Sequence, residues 1–437
     1  MKVEDPPMAG EHCDVLIIGA GPAGMAAALA AAPSGARITL LDDNPAPGGQ
    51  IWRDGPGAHL PPQALRMREA LARCTNVRLL CGTRVVSLAG AGALLLEDAQ
   101  QGWVQRYGKL ILCTGARELL LPFPGWTLPG VTGAGGLQAL VKAGLPIAGE
   151  RIVIAGSGPL LLVAAATASQ AGGKVIRIAE QAALPAVAGF AAQLLRWPGK
   201  AKQAVTLASA RYRTGSHVVS AQGAGRVESV RLLHAGRETE IPCDRVACGF
   251  GLVPNTELGQ LLGCALTPAG GGAQALAVDG LQATSLAGIY AAGECTGVGG
   301  SERALAQGRI AGLAAVEDGA AARRHNPERA HWQAFADELH RHFSLAPSLK
   351  GLARPDTLVC RCEDVPQAAL AGCGSWTEAK LHTRCGMGAC QGRVCGAAAN
   401  FLFGWTPPAP RPPLSPARIA TLAGTALPPK GDGSQIA

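Results

Sequence analysis

Residues 14–32 have the sequence DVLIIGAGPAGMAAALAAA, which decides the expected fold of the chain. A short apolar strand, Val15–Ile18, runs into a glycine turn and then into an alanine-rich helix. Gly19 allows the tight turn, Gly21 lets the backbone approach a pyrophosphate, and Gly24 lets helix and strand pack closely. The helix N-terminus adds free N–H groups and the positive end of its dipole. The stretch therefore predicts an α/β unit that binds a dinucleotide.

An acidic residue stands where such a unit needs one. The next strand, ARITLLD, ends at Asp42, 23 residues after Gly19 (42 − 19). A carboxylate at this position can accept hydrogen bonds from the ribose diol of the nucleotide, and Asp43 is the alternative acid. Because strand, turn, helix and acid occur together, the motif is more specific than an isolated G-x-G-x-x-G.

A second glycine turn repeats this architecture in RIVIAGSGPLLLVAAATASQAGGKVIRIAE. Gly156 and Gly158 match, Leu161 replaces the third glycine, and the second strand ends at Glu180, 24 residues after Gly156 (180 − 156). Glu180 favours a ribose with a free 2′-hydroxyl over the 2′-phosphate of NADP. We expect NAD or another adenine nucleotide here, although a domain that keeps its fold without a nucleotide fits the same sequence.

Four cysteines near the C-terminus predict a metal centre. Cys360 and Cys362 lie in CRCEDV, and Cys390 and Cys395 lie in TRCGMGACQGRVC. Four thiolates suit a 2Fe–2S cluster, and zinc accepts the same set. Buried structural cysteine is the other interpretation, which the Gly-rich, polar loop sequence disfavours. A register that uses Cys385 and Cys390 also fits the spacing.

Composition limits the class of protein. The 437 residues suggest two to four domains, and 48% hydrophobic residues allow large cores. The net charge of +8 is spread along the chain and aromatic residues make up only 4%, which disfavours a nucleic-acid partner. Fourteen cysteines without a recognisable signal peptide predict a cytoplasmic protein. The two long apolar runs are interrupted by Gly-x-Gly, so we expect no transmembrane segment.

Three further segments indicate the ligand of the first site. They are PAPGGQI, KLILCTGARELLLPFPG and GIYAAGECTGVGGSERALAQGRIAG, and they contain the candidate cofactor-binding residues Gly49, Gln50, Thr114, Gly115, Gly293 and Glu294. This set resembles the flavoproteins of the thioredoxin-reductase and glutathione-reductase class, which have two dinucleotide-binding domains. The resemblance implies FAD at the first site. In that class the last motif is usually Gly-Asp, and its carboxylate bonds the ribityl chain; Glu294 stands in that place.

The chain departs from the disulfide reductases of that class. No Cys-x-x-Cys precedes the C-terminal cysteines, so a dithiol reductase is not expected. We also find no acid–base set to assign as catalytic, and histidines such as His59 and His217 are isolated in sequence. The catalytic residues are therefore left unknown.

A resemblance extends over most of the chain. GGQIWR, TGSHVVSAQG, CGFGLVPNTELGQLLGC, GIYAAGECTGVGGSERALAQG and CRCEDV…TRCGMGACQGRVC are similar to the FAD/NAD(P)-binding alpha subunit of opine oxidases, hydrogen cyanide synthase and D-hydroxyproline or proline dehydrogenases. The C-terminal part resembles the bacterioferritin-associated-ferredoxin-like 2Fe–2S domain. That domain usually ends in C-x2-C, whereas the C-x4-C here is similar to the variant in this family. The resemblance therefore assigns Cys390 and Cys395, with Cys360 and Cys362, as ligands.

The resemblance implies a division of labour. A beta subunit, itself a flavoprotein of the amino-acid-oxidase type, would oxidise the C–N bond of an amino or imino acid, and a small ferredoxin-like gamma subunit would be a further partner. The alpha subunit would hold FAD and the cluster and pass electrons on. The alternative is a stand-alone NAD(P)H-dependent reductase that sends electrons through the cluster. A non-enzymatic redox sensor is a third hypothesis, and it lacks a DNA-binding motif to act through.

The expected fold class is α/β, with two Rossmann-like dinucleotide-binding domains of the glutathione- and thioredoxin-reductase type and a small C-terminal iron–sulfur domain. We divide the chain into a discontinuous FAD domain (1–125 and 275–317), a second nucleotide domain (126–274), a helical linker (318–354), a 2Fe–2S domain (355–405) and a Pro/Gly-rich tail (406–437). We expect an amphipathic helix at Glu328–Phe343 in the linker, and a tail that is either disordered or extended along a partner.

Overall fold

The structure is a computed structural model that describes residues 12–270 and 272–426. The first residues of the expected FAD domain (1–11), residue 271 of the second domain and the end of the expected tail (427–437) lie outside the described residues. Within the described part, no helix is both long enough and apolar enough to cross a bilayer.

The first glycine turn belongs to a seven-stranded sheet at the N-terminal end of the chain. Its first elements are β1 (His12–Ile18), α1 (Pro22–Ala31), β2 (Ile38–Asp42), α2 (Pro62–Arg73), β3 (Val77–Cys81), β4 (Arg84–Leu88), β5 (Ala93–Glu97) and β6 (Gly102–Leu112). The strand order is β3-β2-β1-β6-β5-β4, and β1 pairs in parallel with both β2 and β6. Because β1 is central, Leu16 and Ile17 have no exposed surface, which is typical of a strand covered on both faces.

A second sheet follows in the middle of the chain. Its part of the chain contains β7 (Ala116–Glu118), β8 (Val131–Gly133), α3 (Ala134–Lys142), β9 (Arg151–Gly156), α4 (Leu160–Gln170), β10 (Lys174–Glu180), α5 (Leu184–Gln193), α6 (Pro198–Leu207), β11 (Tyr212–Arg213), β12 (Ser216–Gln222), β13 (Ser229–His234), β14 (Arg237–Pro242), β15 (Arg245–Gly249), β16 (Leu252–Pro254), α7 (Glu257–Leu262), β17 (Leu266–Pro268) and β18 (Gln274–Leu276). Five parallel strands have the order β11-β10-β9-β15-β8, and β12, β13 and β14 form an antiparallel sheet beside them. The parallel strands of the first sheet (β3, β2, β1, β6 and a later strand) and the parallel second sheet, each with helices, confirm the expected α/β class.

The chain then returns to the first sheet. Strand β19 (Ile289–Ala291) pairs with β6, and α8 (Ser301–Ala315) packs on α1. The two helices approach closely because α8 has glycines at the contact: a β-carbon on Gly308 would lie 2.2 Å from the Ala23 carbonyl oxygen, and one on Gly312 2.2 Å from that of Ala27. Helix α8 thereby fixes the segment Gly293–Gly300 at the carboxyl edge of the sheet.

The remaining elements form the linker and the C-terminal region. They are α9 (Gly319–Arg323), α10 (Asn326–His342), β20 (Leu358–Cys360), β21 (Val365–Pro366), α11 (Gln367–Leu370), α12 (Trp376–Thr383), α13 (Cys395–Phe403) and α14 (Ile419–Ala426). Short 3-10 helices occupy Ala32–Ser34, Leu194–Arg196, Glu294–Thr296 and Pro347–Gly351. The amphipathic helix expected at Glu328–Phe343 corresponds to α10, whose Phe335 packs against Phe190 and Trp197 of the second domain.

The described part of the tail differs from the expected disordered or partner-bound arm. It packs on the chain's own first sheet, where Leu414 N donates to the Val86 carbonyl (2.6 Å). Arg418 N donates to Glu97 Oε2 (2.9 Å), and Thr421 Oγ1 donates to the same oxygen (2.6 Å). Glu97 is fully buried, and these hydrogen bonds offset its burial and lower its pKa to about 2. The sequence did not reveal this contact because it joins residues more than 300 positions apart.

Candidate cofactor sites

The first glycine turn has the geometry that the motif predicts. Gly19 has φ +102°, and a β-carbon there would lie 2.3 Å from the Cys113 carbonyl oxygen. A β-carbon on Gly24 would lie 1.8 Å from the Gly19 carbonyl oxygen, so both positions are closed by packing. Gly21 is different, because a β-carbon there would meet only the Gly49 Cα, at 3.8 Å. This turn therefore leaves an open side at Gly21, where a pyrophosphate would approach the backbone.

The two acids after β2 have different roles in the described structure. Asp42 is buried, and its carboxylate accepts hydrogen bonds from Ala20 N (2.6 Å) and Asn44 N (2.8 Å). Asp42 therefore holds the glycine turn in place. Asp43 lines the cleft beside it, and loss of solvent together with the charge of Asp42 raises its pKa. Asp43, which sequence reasoning ranked second, is the carboxylate more accessible to a ribose.

Glu294 has one oxygen that is ready to accept a hydrogen bond. Its Oε1 accepts from Gly300 N (2.7 Å) and Gly299 N (3.2 Å), while its Oε2 is buried and has no partner. Burial raises the pKa of this carboxyl group. A buried acceptor without a donor is costly unless a ligand satisfies it. A ribityl hydroxyl would supply that donor, so this observation fits the FAD that the resemblance implies.

The other candidate residues lie along one cleft. Its volume is about 2820 Å³, well above the range of about 300–1,000 Å³ that is usual for a small-molecule site. Gln50 is exposed, and its Oε1 accepts from Arg53 Nη2 (2.8 Å). Thr114 Oγ1 donates to the Asn255 carbonyl (2.6 Å), and Asn255 N donates to the Gly115 carbonyl (2.9 Å). Gly293 N donates to Gln307 Oε1 (2.9 Å).

The second glycine turn repeats the geometry of the first, but a side chain of the linker lies beside it. Gly156 has φ +143°, and a β-carbon there would lie 1.8 Å from the Gly249 carbonyl oxygen. A β-carbon on Gly158 would meet the Phe343 side chain, at 3.9 Å. Glu180 has no exposed surface: its Oε2 accepts from Gly158 N (2.7 Å) and Tyr212 Oη (3.2 Å), and its Oε1 accepts from Ala182 N (2.8 Å). Burial raises its pKa to about 7.

The linker covers this second turn with hydrogen bonds. Ser157 Oγ donates to the Phe343 carbonyl (2.9 Å), and Gln181 Nε2 donates to the Ser344 carbonyl (3.0 Å). Ala346 N donates in return to Gln181 Oε1 (3.1 Å). We call residues 343–346 the linker cap. Sequence reasoning missed this segment, because nothing in the pattern of α10 shows which loop its end will meet.

Five cysteine thiols gather in the C-terminal region. The sulfurs of Cys360, Cys385 and Cys395 lie within 4.8 Å of one another, and all three residues are buried. The Cys390 thiol contacts that of Cys395, which is the main cause of its pKa being lowered to about 4, and it also contacts that of Cys362. The structure therefore brings the four predicted ligands into one group and adds Cys385, which the preferred assignment left out.

The loop that carries these thiols is shaped by glycines and one tryptophan. A β-carbon would meet the Trp376 ring at 2.4 Å on Gly386 and at 3.0 Å on Gly392. A β-carbon on Gly388 would lie 2.3 Å from the Cys362 Cβ, so larger residues would separate the two cysteine segments. Arg384 Nε donates to Glu363 Oε2 (2.8 Å) and joins those segments a second time.

The thiol group is docked on the connection between the two dinucleotide-binding parts of the chain, at Arg117 and Trp126. Arg117 Nε donates to the Arg393 carbonyl (2.9 Å), and Arg393 lies between Cys390 and Cys395. Trp126 Nε1 donates to the Leu358 carbonyl (2.7 Å), and the Arg361 guanidinium stacks 4.7 Å from the Trp126 ring centre. The lining of the cleft continues from Gly115 and Arg117 to Arg393.

One acidic residue of the cleft was missed from the sequence. Glu118 accepts from Gly135 N (2.7 Å) and Gly136 N (2.8 Å) at the start of α3. Burial raises its pKa in spite of these bonds. Glu118 follows Thr114–Gly115 by only a few residues, but no motif marks it, because its partners come from the next domain.

Known proteins share both the sequence and the fold of this chain. Residues 13–319 match the family model described as pyridine nucleotide-disulphide oxidoreductase. The chain is 32% identical to an opine oxidase subunit from Rhizobium meliloti (strain 1021), over 94% of this chain and 98% of that protein. It is also 32% identical to the HcnB subunit of hydrogen cyanide synthase from Pseudomonas protegens, over 92% of this chain and 95% of that protein.

A solved structure shows the same fold. The L-proline dehydrogenase of P. horikoshii aligns with a TM-score of 0.68 over 96% of this chain and 81% of that chain, at 17% sequence identity. At this identity the likeness bears on the arrangement of the domains and not on the substrate.

Proposed function

The chain belongs to the pyridine nucleotide-disulphide oxidoreductase family, and we propose that it is the flavin and iron–sulfur electron-transfer subunit of a heteromeric amino-acid, opine or imino-acid dehydrogenase. As a flavin-dependent oxidoreductase it would hold FAD at the first glycine turn. Gly19, Gly21, Gly24, Gly49 and Glu294 would form the binding site, and the thiol group would hold a 2Fe–2S cluster.

One observation carries the proposal. The five-thiol group contacts strand β7 through the bond from Arg117 Nε to the Arg393 carbonyl, at the end of the cleft that holds the candidate flavin residues. A flavin exchanges one or two electrons, whereas an iron–sulfur cluster carries electrons singly. A flavin and a cluster bound to domains that contact each other would favour electron transfer over substrate oxidation as the role of this chain.

The substrate would be oxidised on a partner. The curated relatives are named as subunits of opine oxidase and of hydrogen cyanide synthase. Among the described residues we identify no acid–base set that would oxidise an amine, and no Cys-x-x-Cys that would act as a redox dithiol. We therefore propose a beta subunit of the amino-acid-oxidase type, with a ferredoxin-like gamma subunit being a further partner.

The linker cap weighs against the alternative, an NADH-dependent reductase. A dinucleotide at the second site would need the space beside Gly158, where the Phe343 side chain lies. Electrons that a partner subunit delivers would not need that space. We further propose a cytoplasmic location, since fourteen cysteines in a chain of this size are typical of a reducing compartment.

Cofactor analysis tests the proposal. The purified chain should contain FAD together with two irons and two acid-labile sulfides per chain. Zinc without sulfide would contradict the cluster, and absence of flavin from freshly purified protein would contradict the first site. Mixing the chain with an amino or imino acid and the candidate beta subunit should then reduce the flavin or the cluster.

A further inference from the structure

The thiol group contains one more cysteine than a 2Fe–2S cluster uses. Such a cluster takes four thiolates, and the resemblance assigns them to Cys360, Cys362, Cys390 and Cys395. Cys385 has no exposed surface, and its sulfur lies within 4.8 Å of those of both Cys360 and Cys395.

The backbone holds Cys385 in this place. Helix α12 ends at Thr383, and Arg384 adopts a left-handed conformation (φ +65°) that turns the chain inward. Cys385 N donates to Thr383 Oγ1 (3.2 Å), and the next residue, Gly386, lies against the Trp376 ring. A non-glycine residue with positive φ is uncommon, so this inward turn is a specific feature of the loop.

We propose that Cys385 is a reserve ligand of the cluster, which binds iron in place of Cys395 when the Cys395 thiolate is not available. The Cys385 thiol would lose its proton to solvent as its sulfur forms the bond to iron that Cys395 no longer makes. The oxidation state of the iron does not change in this exchange. The inference rests on the proposed cluster.

Distance explains why Cys385 would replace some ligands and not others. Two thiolates on one tetrahedral metal, each about 2.3 Å from it, lie about 3.8 Å apart, which falls within the 4.8 Å limit that encloses the sulfurs of Cys360, Cys385 and Cys395. Cys362 is exposed, contacts Cys390 and lies outside the buried group of Cys360, Cys385 and Cys395. Cys385 should therefore compensate for the loss of Cys395 but not for the loss of Cys362.

The experiment compares alanine variants, since alanine offers no oxygen ligand. Iron, sulfide and the EPR spectrum of the reduced protein are measured for wild type, Cys385→Ala, Cys395→Ala, Cys362→Ala and the double variant Cys385→Ala/Cys395→Ala. We expect wild-type iron in Cys385→Ala, a retained cluster with a shifted spectrum in Cys395→Ala, and at least a fivefold loss of iron in Cys362→Ala and in the double variant.

Two controls separate the possible failures. Cys395→Ala protein that is purified without iron is refolded and reconstituted with iron and sulfide, so that a folding defect during expression does not decide the result. If this protein still binds no more iron than the double variant, the reserve role of Cys385 is wrong while the proposed cluster stands. If wild type itself contains no iron and sulfide, the proposed cluster is wrong.

Discussion

Gly21 and Gly49 face each other across the first glycine turn, and a β-carbon on Gly21 would have only the Gly49 Cα, at 3.8 Å, as a neighbour. The backbone of Gly21 (φ −70°, ψ −174°) is one that any residue adopts. No protein atom would therefore clash with a β-carbon at this position. We therefore predict that glycine is needed there for the proposed FAD and not for the fold.

Replacing Gly21 should accordingly remove FAD without unfolding the protein. In Gly21→Val the side chain would occupy the open side of the turn, where overpacking against the pyrophosphate costs about 1–3 kcal/mol, or roughly 5- to 150-fold in the FAD dissociation constant. Flavin content and FAD titration of the apoprotein measure the effect. Gly24→Ala is the matched control, since its β-carbon would lie 1.8 Å from the Gly19 carbonyl oxygen and should lower stability itself. Wild-type flavin content in Gly21→Val would show that the flavin lies elsewhere.

Glu294→Gln should weaken FAD binding. The substitution keeps the size of the side chain but replaces the buried, unpartnered Oε2 acceptor with a donor. A hydrogen bond to a charged group contributes about 1.5–3 kcal/mol, so we expect at least roughly a tenfold rise in the dissociation constant. Glu294→Asp should retain flavin, because the reductase class resembled here carries Asp at this position. Equal affinity of wild type and Glu294→Gln would refute the contact with the ribityl chain.

Glu180 should make the protein less stable as pH rises. Burial raises the pKa of Glu180 from 4.5 to about 7, so between these values the folded state binds the proton more tightly than the unfolded state. Its contribution is fully present below pH 4.5 and is lost as pH rises to about 7, which amounts to about 3 kcal/mol. Urea unfolding at pH 5 and pH 8 measures this difference. Glu180→Gln should remove this difference in the free energy of unfolding, whereas Tyr212→Phe, which keeps the carboxyl group, should not. Identical pH profiles for wild type and Glu180→Gln would show that Glu180 is not the group responsible.

Gln181→Ala should loosen the linker cap. It removes the hydrogen bonds of Gln181 to the Ser344 carbonyl and to Ala346 N. We expect faster hydrogen exchange at residues 343–346 and tighter binding of NAD, because the space beside Gly158 opens. NADP should bind no more tightly than NAD, since Glu180 would lie beside its 2′-phosphate. Wild type that already binds NAD as well as Gln181→Ala does would show that the linker cap does not close the site.

Local sequence patterns were sufficient for the two glycine turns and the strands beside them. The strands before both glycine turns end in the structure at Ile18 and Gly156, and the acids stand at the ends of β2 and β10, at Asp42 and Glu180. These features depend on strand, turn and helix geometry within about 30 residues, where periodicity and glycine spacing carry the information.

Contacts between distant parts of the chain were not predictable in this way. The hydrogen bond of Ser157 to Phe343 joins residues 186 positions apart, and it places the linker beside the second turn. The place of Cys385 depends on the left-handed turn at Arg384, which no spacing rule marks. Leu161, which replaces a motif glycine, was the only sign in the sequence that the second site departs from the first.

The source of the electrons is the central question, and anaerobic absorption spectroscopy of the isolated, FAD-loaded chain addresses it directly. The chain is mixed in turn with NADH and with an opine, proline, hydroxyproline or glycine, first alone and then with the candidate beta subunit. We expect no rapid bleaching of the flavin by any of them until the beta subunit is present, and then reduction by an amino or imino acid. Rapid bleaching of the isolated chain by NADH would establish the reductase alternative, and rapid bleaching by an amino acid would place the catalytic site on this chain.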